Sequence, residues 1–197
     1  MAAASISEMT DLVRAAGKRE RLIEGAREVL YAHGVEGTTL ADIAQAAEVP
    51  LGNVYYYFKT KDELVDAVLA SRVQDVQDAL QGLEQHRTPK ARLKAFVRML
   101  VGQAEETARY GCPNGSLCSE LDKRDDGPGP ACVELMGMPI DWAEGQFRAM
   151  GRRDARELAV ALIASYQGVA LLANTFRDPQ MMVKEGRRLE RWVESLA

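Results

Sequence analysis

Apolar residues recur at helical spacing along nearly every long segment of this 197-residue chain, and no run alternates as a half-buried strand would. In 19–33, Leu22, Ala26, Val29, Leu30 and His33 form one stripe, and Gly34 stands where a helix commonly stops. Thr39 and Asp42 hold capping-box positions for a short helix that sets Leu40, Ile43, Ala44 and Ala47 on one side. After a break at Glu48–Pro50, about two turns run through Phe58. Thr60 and Glu63 then open a long helix to about Leu83. Residues 90–109 read as one helix with Leu93, Phe96, Val97, Leu100 and Ala104 on a face. A short helix is expected around Ser116–Leu121, and three more at 131–151, 154–176 and 179–196. The polar stretch 122–130, DKRDDGPGP, reads as a loop. The fold class is therefore all-α. A domain break is expected near 60–70, giving a flexible tail at 1–16, a small domain at 17–65 and a larger one at 66–197.

Within the small domain, residues 52–63 read GNVYYYFKTKDE and place three of the chain's six tyrosines side by side. At about 100° per residue three adjacent positions cannot share one packing face, so at least one ring must look outward. Three short helices joined by tight turns, the third beginning at Leu51, have the geometry of a helix-turn-helix whose last helix enters the major groove. Gly52 lets the backbone approach DNA without a Cβ, and Asn53 suits a base edge. Tyrosine hydroxyls suit phosphate oxygens, as does Lys61 at the start of the following helix. Val54 and Phe58, at i and i+4, are packing residues. Tyr55 has two readings, a DNA contact or a ring packed on the first helix with its hydroxyl exposed. Tyr57 is either a phosphate contact or a ring along the flank.

The stretch TTLADIAQAAEVPLGNVYYYFKTKDEL closely resembles the DNA-binding domain of the TetR family of bacterial regulators, through Thr39, Ile43, Ala44, Ala47, Val49, Gly52, Tyr55, Phe58, Lys61 and Leu64. The resemblance covers roughly 17–65. It implies DNA contacts from Thr39, Pro50, Leu51, Gly52, Asn53, Tyr55, Tyr56, Tyr57 and Lys61, with Thr39 and Lys61 on phosphate. Two positions depart from the family pattern. Glu48 stands where glycine is common, which costs about 1 kcal/mol if its φ is positive. Pro50 stands where serine is frequent; it lacks a capping side chain, although its fixed φ suits a first helical position.

The same resemblance implies that the larger domain dimerises through the last two long helices and holds a small-molecule effector. Residues 154–176 suit an interface, with Ala161, Ala164, Ser165 and Gly168 small and Leu158, Leu162, Val169 and Leu172 apolar. Effector-lining candidates are Phe96, Met99, Leu100, Gln103, Leu117, Met136, Trp142, Phe147 and Tyr166. The implied function is a dimeric repressor released from a palindromic DNA operator when an effector shifts the helix carrying 62–83.

Composition bears on the alternatives. Net charge is −4, yet residues 14–61 carry seven Lys and Arg against six Asp and Glu, a net of +1 on an acidic body. That balance is compatible with a small DNA-binding surface. No N-terminal apolar block or uninterrupted 18-residue apolar window occurs, so no membrane partner and a cytoplasmic location are the default expectations. Three cysteines and two isolated histidines show no zinc spacing; neither metal nor cofactor is expected. Cys112 and Cys118, in YGCPNGSLCSEL, raise a thiol-based redox or electrophile sensor as an alternative, with inert packing favoured. The segment resembles a recurring feature of one TetR subgroup. A ligand-independent architectural or partner-binding DNA-binding protein is another alternative. An enzyme ranks last, since no nucleophile motif or glycine-rich phosphate loop is present.

Overall fold

The computed structural model describes residues 6–123 and 129–196. Residues 1–5 of the expected tail, and most of the loop expected at 122–130, lie outside them. The described residues contain ten α-helices and no strand. The chain divides into two compact units between Ser71 and Arg72.

The first unit contains α1 (Ile6–His33), α2 (Leu40–Ala46), α3 (Leu51–Tyr57) and the start of α4 (Lys61–Leu83). Gly34 ends α1 at φ 76°, its amide donating to Leu30 O at 2.9 Å. The core joins Leu22, Ala26 and Leu30 of α1 to Ile43, Ala44, Val49, Val54, Phe58 and Leu64, all buried. Fully burying a side chain the size of Val54 or Phe58 contributes about 1.5–3 kcal/mol. Gly25 of α1 lies close against Ala47, the C-cap of α2. A Cβ there would stand 2.8 Å from the backbone nitrogen of Ala47.

The second unit contains the remainder of α4, α5 (Pro89–Val101), α6 (Ala104–Tyr110), α7 (Pro113–Leu121), α8 (Pro130–Ala149), α9 (Ala155–Phe176) and α10 (Pro179–Ser195). Four of these helices open on proline, which has no N–H to leave unsatisfied in the first turn. The single helix expected over 90–109 is two, α5 and α6, parted at Gly102–Gln103. The short helix expected at 116–121 begins three residues earlier, at Pro113.

Helix α9 packs against α6, α8 and α10, and α10 packs on α5. By length and composition α9 could cross a bilayer, but one side of it, Ala155, Ala159, Leu162, Ile163, Tyr166, Ala170 and Ala173, is buried within the unit. Gly186 of α10 admits Val101; a Cβ there would lie 2.7 Å from Val101 Cγ1.

Candidate nucleic-acid interface

Helix α2 is fixed at its start by a complete capping box. The Asp42 amide donates to Thr39 Oγ1 at 3.2 Å, while the Thr39 amide and hydroxyl donate to Asp42 Oδ2 at 2.8 and 2.6 Å. These bonds hold the Asp42 carboxyl below the usual carboxylate value of 3.8. They also direct the Thr39 hydroxyl proton to Asp42, so this side chain's structural task is the cap. The turn between α2 and α3 passes through Glu48 at φ 52°, the left-handed conformation that glycine adopts without strain. Arg21 of α1 donates to the Glu48 carbonyl at 2.8 Å.

Pro50 is the N-cap of α3, with ψ 136°, and not its first helical residue. It offers no side-chain bond; instead the Asn53 amide donates to Pro50 O at 2.8 Å, tightening the first turn. Val54 fastens the helix inward and Phe58, its C-cap, follows it into the core. The opposite side carries Leu51, Gly52, Tyr55 and Tyr56 outward, with Tyr55 50% and Tyr56 74% exposed. Gly52 has open space where a Cβ would stand. Asn53 is half-buried, and so is Tyr57, whose ring meets that of Tyr56 edge-on at 5.0 Å.

The cations around α3 make contacts within the unit. Lys59 Nζ donates to Tyr55 O at 2.6 Å, capping the helix, and Arg19 lies 5.3 Å from the centre of the Phe58 ring. Lys61 Nζ donates to Val35 O and Thr38 O, at 2.9 and 3.2 Å. The Glu63 amide donates to Thr60 Oγ1 as the capping box requires, but the Glu63 carboxylate receives the amide of Lys59.

This outward, uncharged, tyrosine-bearing helix lies in residues matched by the family model for bacterial regulatory proteins of the tetR family, 22–68. The HTH-type transcriptional repressor DhaR of a Mycobacterium species is 31% identical over 169 residues, covering 78% of this chain and 80% of its own. The chain belongs to the tetR family. The regulator TtgR of Pseudomonas putida is 26% identical over 90% of this chain and 88% of its own. The crystal structure of the regulatory protein TetR from Rhodobacter sphaeroides superposes with a TM-score of 0.76 at 26% identity, over 87% of this chain and 96% of that one. This tetR-family protein is accordingly a DNA-binding transcriptional regulator, and its relatives are regulators and not enzymes.

The residues expected to line an effector site in this regulator fall into three groups. Phe96, Leu117, Phe147 and Tyr166 are buried in the core. Met99, Leu100, Met136 and Trp142 are half-buried, and Trp142 donates its indole N–H to Glu84 Oε1 at 2.8 Å. Gln103 is exposed, because the break between α5 and α6 turns it out as the N-cap of α6.

The interface candidates also divide. Leu162 is fully buried within its own unit, so its contacts are intramolecular; Leu158, Ser165 and Val169 are half-buried. Ala161, Gly168 and Leu172 face outward, together with Val160, Ala164, Leu171 and Phe176, which spacing alone did not separate from the buried side. The outer side of the last helix, α10, is instead charged, through Lys184, Arg187, Arg188 and Arg191.

All three cysteines are buried. Cys118 lies against Cys132, its Sγ 4.0 Å from the Cys132 carbonyl, and burial pushes its thiol up to about 12. Cys112 caps α7 through its sulfur, which receives the Gly115 amide at 3.4 Å and the Gln167 side-chain amide at 3.5 Å.

Proposed function

We propose that this regulator is a homodimeric repressor that grips a two-fold operator with α2 and α3 of each protomer and lets go when a small molecule binds its second unit. The outward face of α9 carries this reading. Leu171 is 67% and Phe176 65% exposed, and Val160, Ala161, Ala164, Gly168 and Leu172 continue the same apolar side. A face of this extent is costly in water, and a second copy of α9 covers it with small residues where the helices cross. Helix α8 can add to this surface through its exposed Val133 and, at helical spacing, Gly137. Two-fold symmetry also gives one short recognition helix per protomer enough sequence to read.

On DNA, Tyr55 and Tyr56 present hydroxyls to phosphate or base edges, while Leu51, Gly52 and Asn53 approach the groove and Tyr57 supports the Tyr56 ring. Thr39 and Pro50 act by fixing the starts of α2 and α3. DhaR is named a repressor, which supports the same direction of control here. In the second unit Met99, Leu100, Met136 and Trp142 provide an adaptable, half-buried lining for an effector. Release follows from a shift of α4, whose residues fall on both sides of the Ser71–Arg72 division.

Sedimentation equilibrium of the full chain tests the dimer. The wild type should sediment as two chains and the double variant Leu171→Arg, Phe176→Arg as one, with helical circular dichroism retained. A monomeric wild type, or a double variant still fully dimeric, would remove α9 as the interface.

A further inference from the structure

The chain leaves α4 through Glu84, and the carboxylate of that residue receives donors from two other helices. Trp142 of α8 donates its indole N–H to Glu84 Oε1 at 2.8 Å, and the Gln146 side-chain amide, one turn further on, donates to the same oxygen at 3.1 Å. Arg92 of α5 pairs with Glu84 Oε2 at 2.9 Å. The same guanidinium donates to Glu84 O at 3.2 Å, to His86 O at 2.9 Å and to Gln146 Oε1 at 3.3 Å. One side chain thus ties the end of α4 to both α5 and α8.

That tie bears on DNA because α4 is a single helix of 23 residues shared by the two units. Leu64, Val65 and Val68 are buried in the first unit, and Leu80 and Leu83 in the core of the second. A helix of that length is about 34 Å long, so a tilt of about 5° at one end carries the other by about 3 Å. Hydrogen bonds to DNA do not survive a displacement of that size. Trp142 also faces the proposed effector lining. Its ring lies 5.3 Å from that of Phe96, and Met99, one turn on from Phe96, packs against the same core. A molecule seated against this ring turns the indole, and the N–H turns with it.

We infer that the Trp142–Glu84 hydrogen bond holds α4 in its DNA-binding position, so that moving the Trp142 indole is enough to weaken the grip on DNA. Trp142 and Glu84 are positioning residues in this scheme, and an effector against the Trp142 ring acts through their bond. The inference rests on the reading of α3 as the DNA-binding helix and of α4 as the helix that shifts. The Glu84 side chain is 42% exposed, so the bond weighs less than a buried one to a charged group.

Trp142→Phe keeps a ring against Phe96 and removes the N–H, which reproduces the loosened state with no effector present. The probe is a duplex enriched by wild-type protein from a randomised library. Affinity for it should fall about fivefold as the binding-competent fraction falls. The slope of log affinity against log salt should not change, because no phosphate contact is lost. Trp192→Phe, at a ring that meets Phe147 at 5.9 Å in the same core, should bind as wild type does. Glu84→Ala should also weaken binding, and adding Trp142→Phe to it should weaken binding no further, since the acceptor is already gone. Unchanged affinity in Trp142→Phe would overturn the inference, as would an equal loss in Trp192→Phe or additive losses in the double variant. Should Trp142→Phe not fold, Glu84→Ala set against Trp192→Phe carries the comparison. If the library yields no enriched duplex, the DNA-binding reading fails on its own account. Amide exchange then tests the tie without DNA: the Leu80 and Leu83 amides should exchange about fivefold faster in Trp142→Phe than in wild type or Trp192→Phe, and equal exchange would refute it.

Discussion

Placing a methyl group at Gly25 should strain the first unit and cancel or reverse the gain that the same change brings elsewhere in α1. Alanine is favoured over glycine in a helix interior by about 1 kcal/mol. At Gly17, also in α1, a Cβ would meet nothing within 4 Å, so Gly17→Ala should realise about that gain. At Gly25 the new Cβ would stand 2.8 Å from Ala47 N and 3.1 Å from Ala47 Cα. Those are backbone atoms, and they cannot swing away as a side chain would. The Ala47 amide is already bonded to Ile43 O at 2.9 Å, and the next residue, Glu48, is in the left-handed conformation. Overpacking against such a wall costs about 1–3 kcal/mol. Gly25→Ala should therefore range from neutral to about 2 kcal/mol less stable than wild type, and lie about 1–3 kcal/mol below Gly17→Ala. Urea unfolding of the three proteins, followed by circular dichroism, gives the differences. Because α2 must move to admit the methyl, DNA affinity should fall in Gly25→Ala and not in Gly17→Ala. If both variants gain the same stability, α1 and α2 are not in the contact described, and the reasoning fails.

Three further perturbations test other parts of the account. Tyr56→Phe removes one exposed hydroxyl and should weaken operator binding with an unchanged unfolding midpoint; unchanged binding would take that hydroxyl out of the interface. Asp42 titrates lower in the folded chain, so the stability its capping box contributes is complete above the ordinary carboxylate value of 3.8 and is lost as pH falls through the lowered folded value. The stability gap between wild type and Asp42→Ala should thus be constant near neutrality and close in acid, and a gap that persists there would contradict the cap. The Cys118 thiol, pushed up to about 12, stays protonated at neutral pH. Iodoacetamide at about pH 7.5, below the ordinary thiol value, should leave it unmodified in the native protein and modify it in urea; rapid native labelling would revive the thiol-sensor alternative.

The first unit was legible because its signals are local. Thr39 with Asp42 and Gly34 after His33 each act within a few residues, and each appears in the structure as its spacing predicts. Val54 and Phe58 were separable from the tyrosines because i and i+4 on a short helix share one side. Lys61 was not legible in the same way. Its partners, Val35 and Thr38, are 26 and 23 residues away, and nothing in sequence distinguishes a lysine on carbonyls from one on phosphate.

The second unit exposed the limit of periodicity. The break between α5 and α6 is marked in sequence by Gly102 alone, which keeps a right-handed helical φ of −62°, while Ala104 continues the buried face. The earlier start of α7 did have a signal, Pro113 at its first position. On α9 apolar residues surround most of the helix, so the stripe through Leu158, Leu162, Val169 and Leu172 straddles the boundary between the inner and outer sides. Which side faced out depended on where α6, α8 and α10 packed, a tertiary fact. Gln103 faces out for the same reason: a continuous helix over 90–109 would carry it inward, and the break makes it the N-cap of α6 instead.

The most direct test of a dimeric regulator that reads DNA through α3 is to select duplexes from a randomised library with the full chain and weigh the complex on the enriched sequence. The account predicts an inverted repeat, its half-sites one helical turn of about 10 base pairs, or a multiple of that, apart, carrying chains in even number. An enriched sequence without two-fold symmetry that binds a single chain, or no enrichment at all, would contradict it.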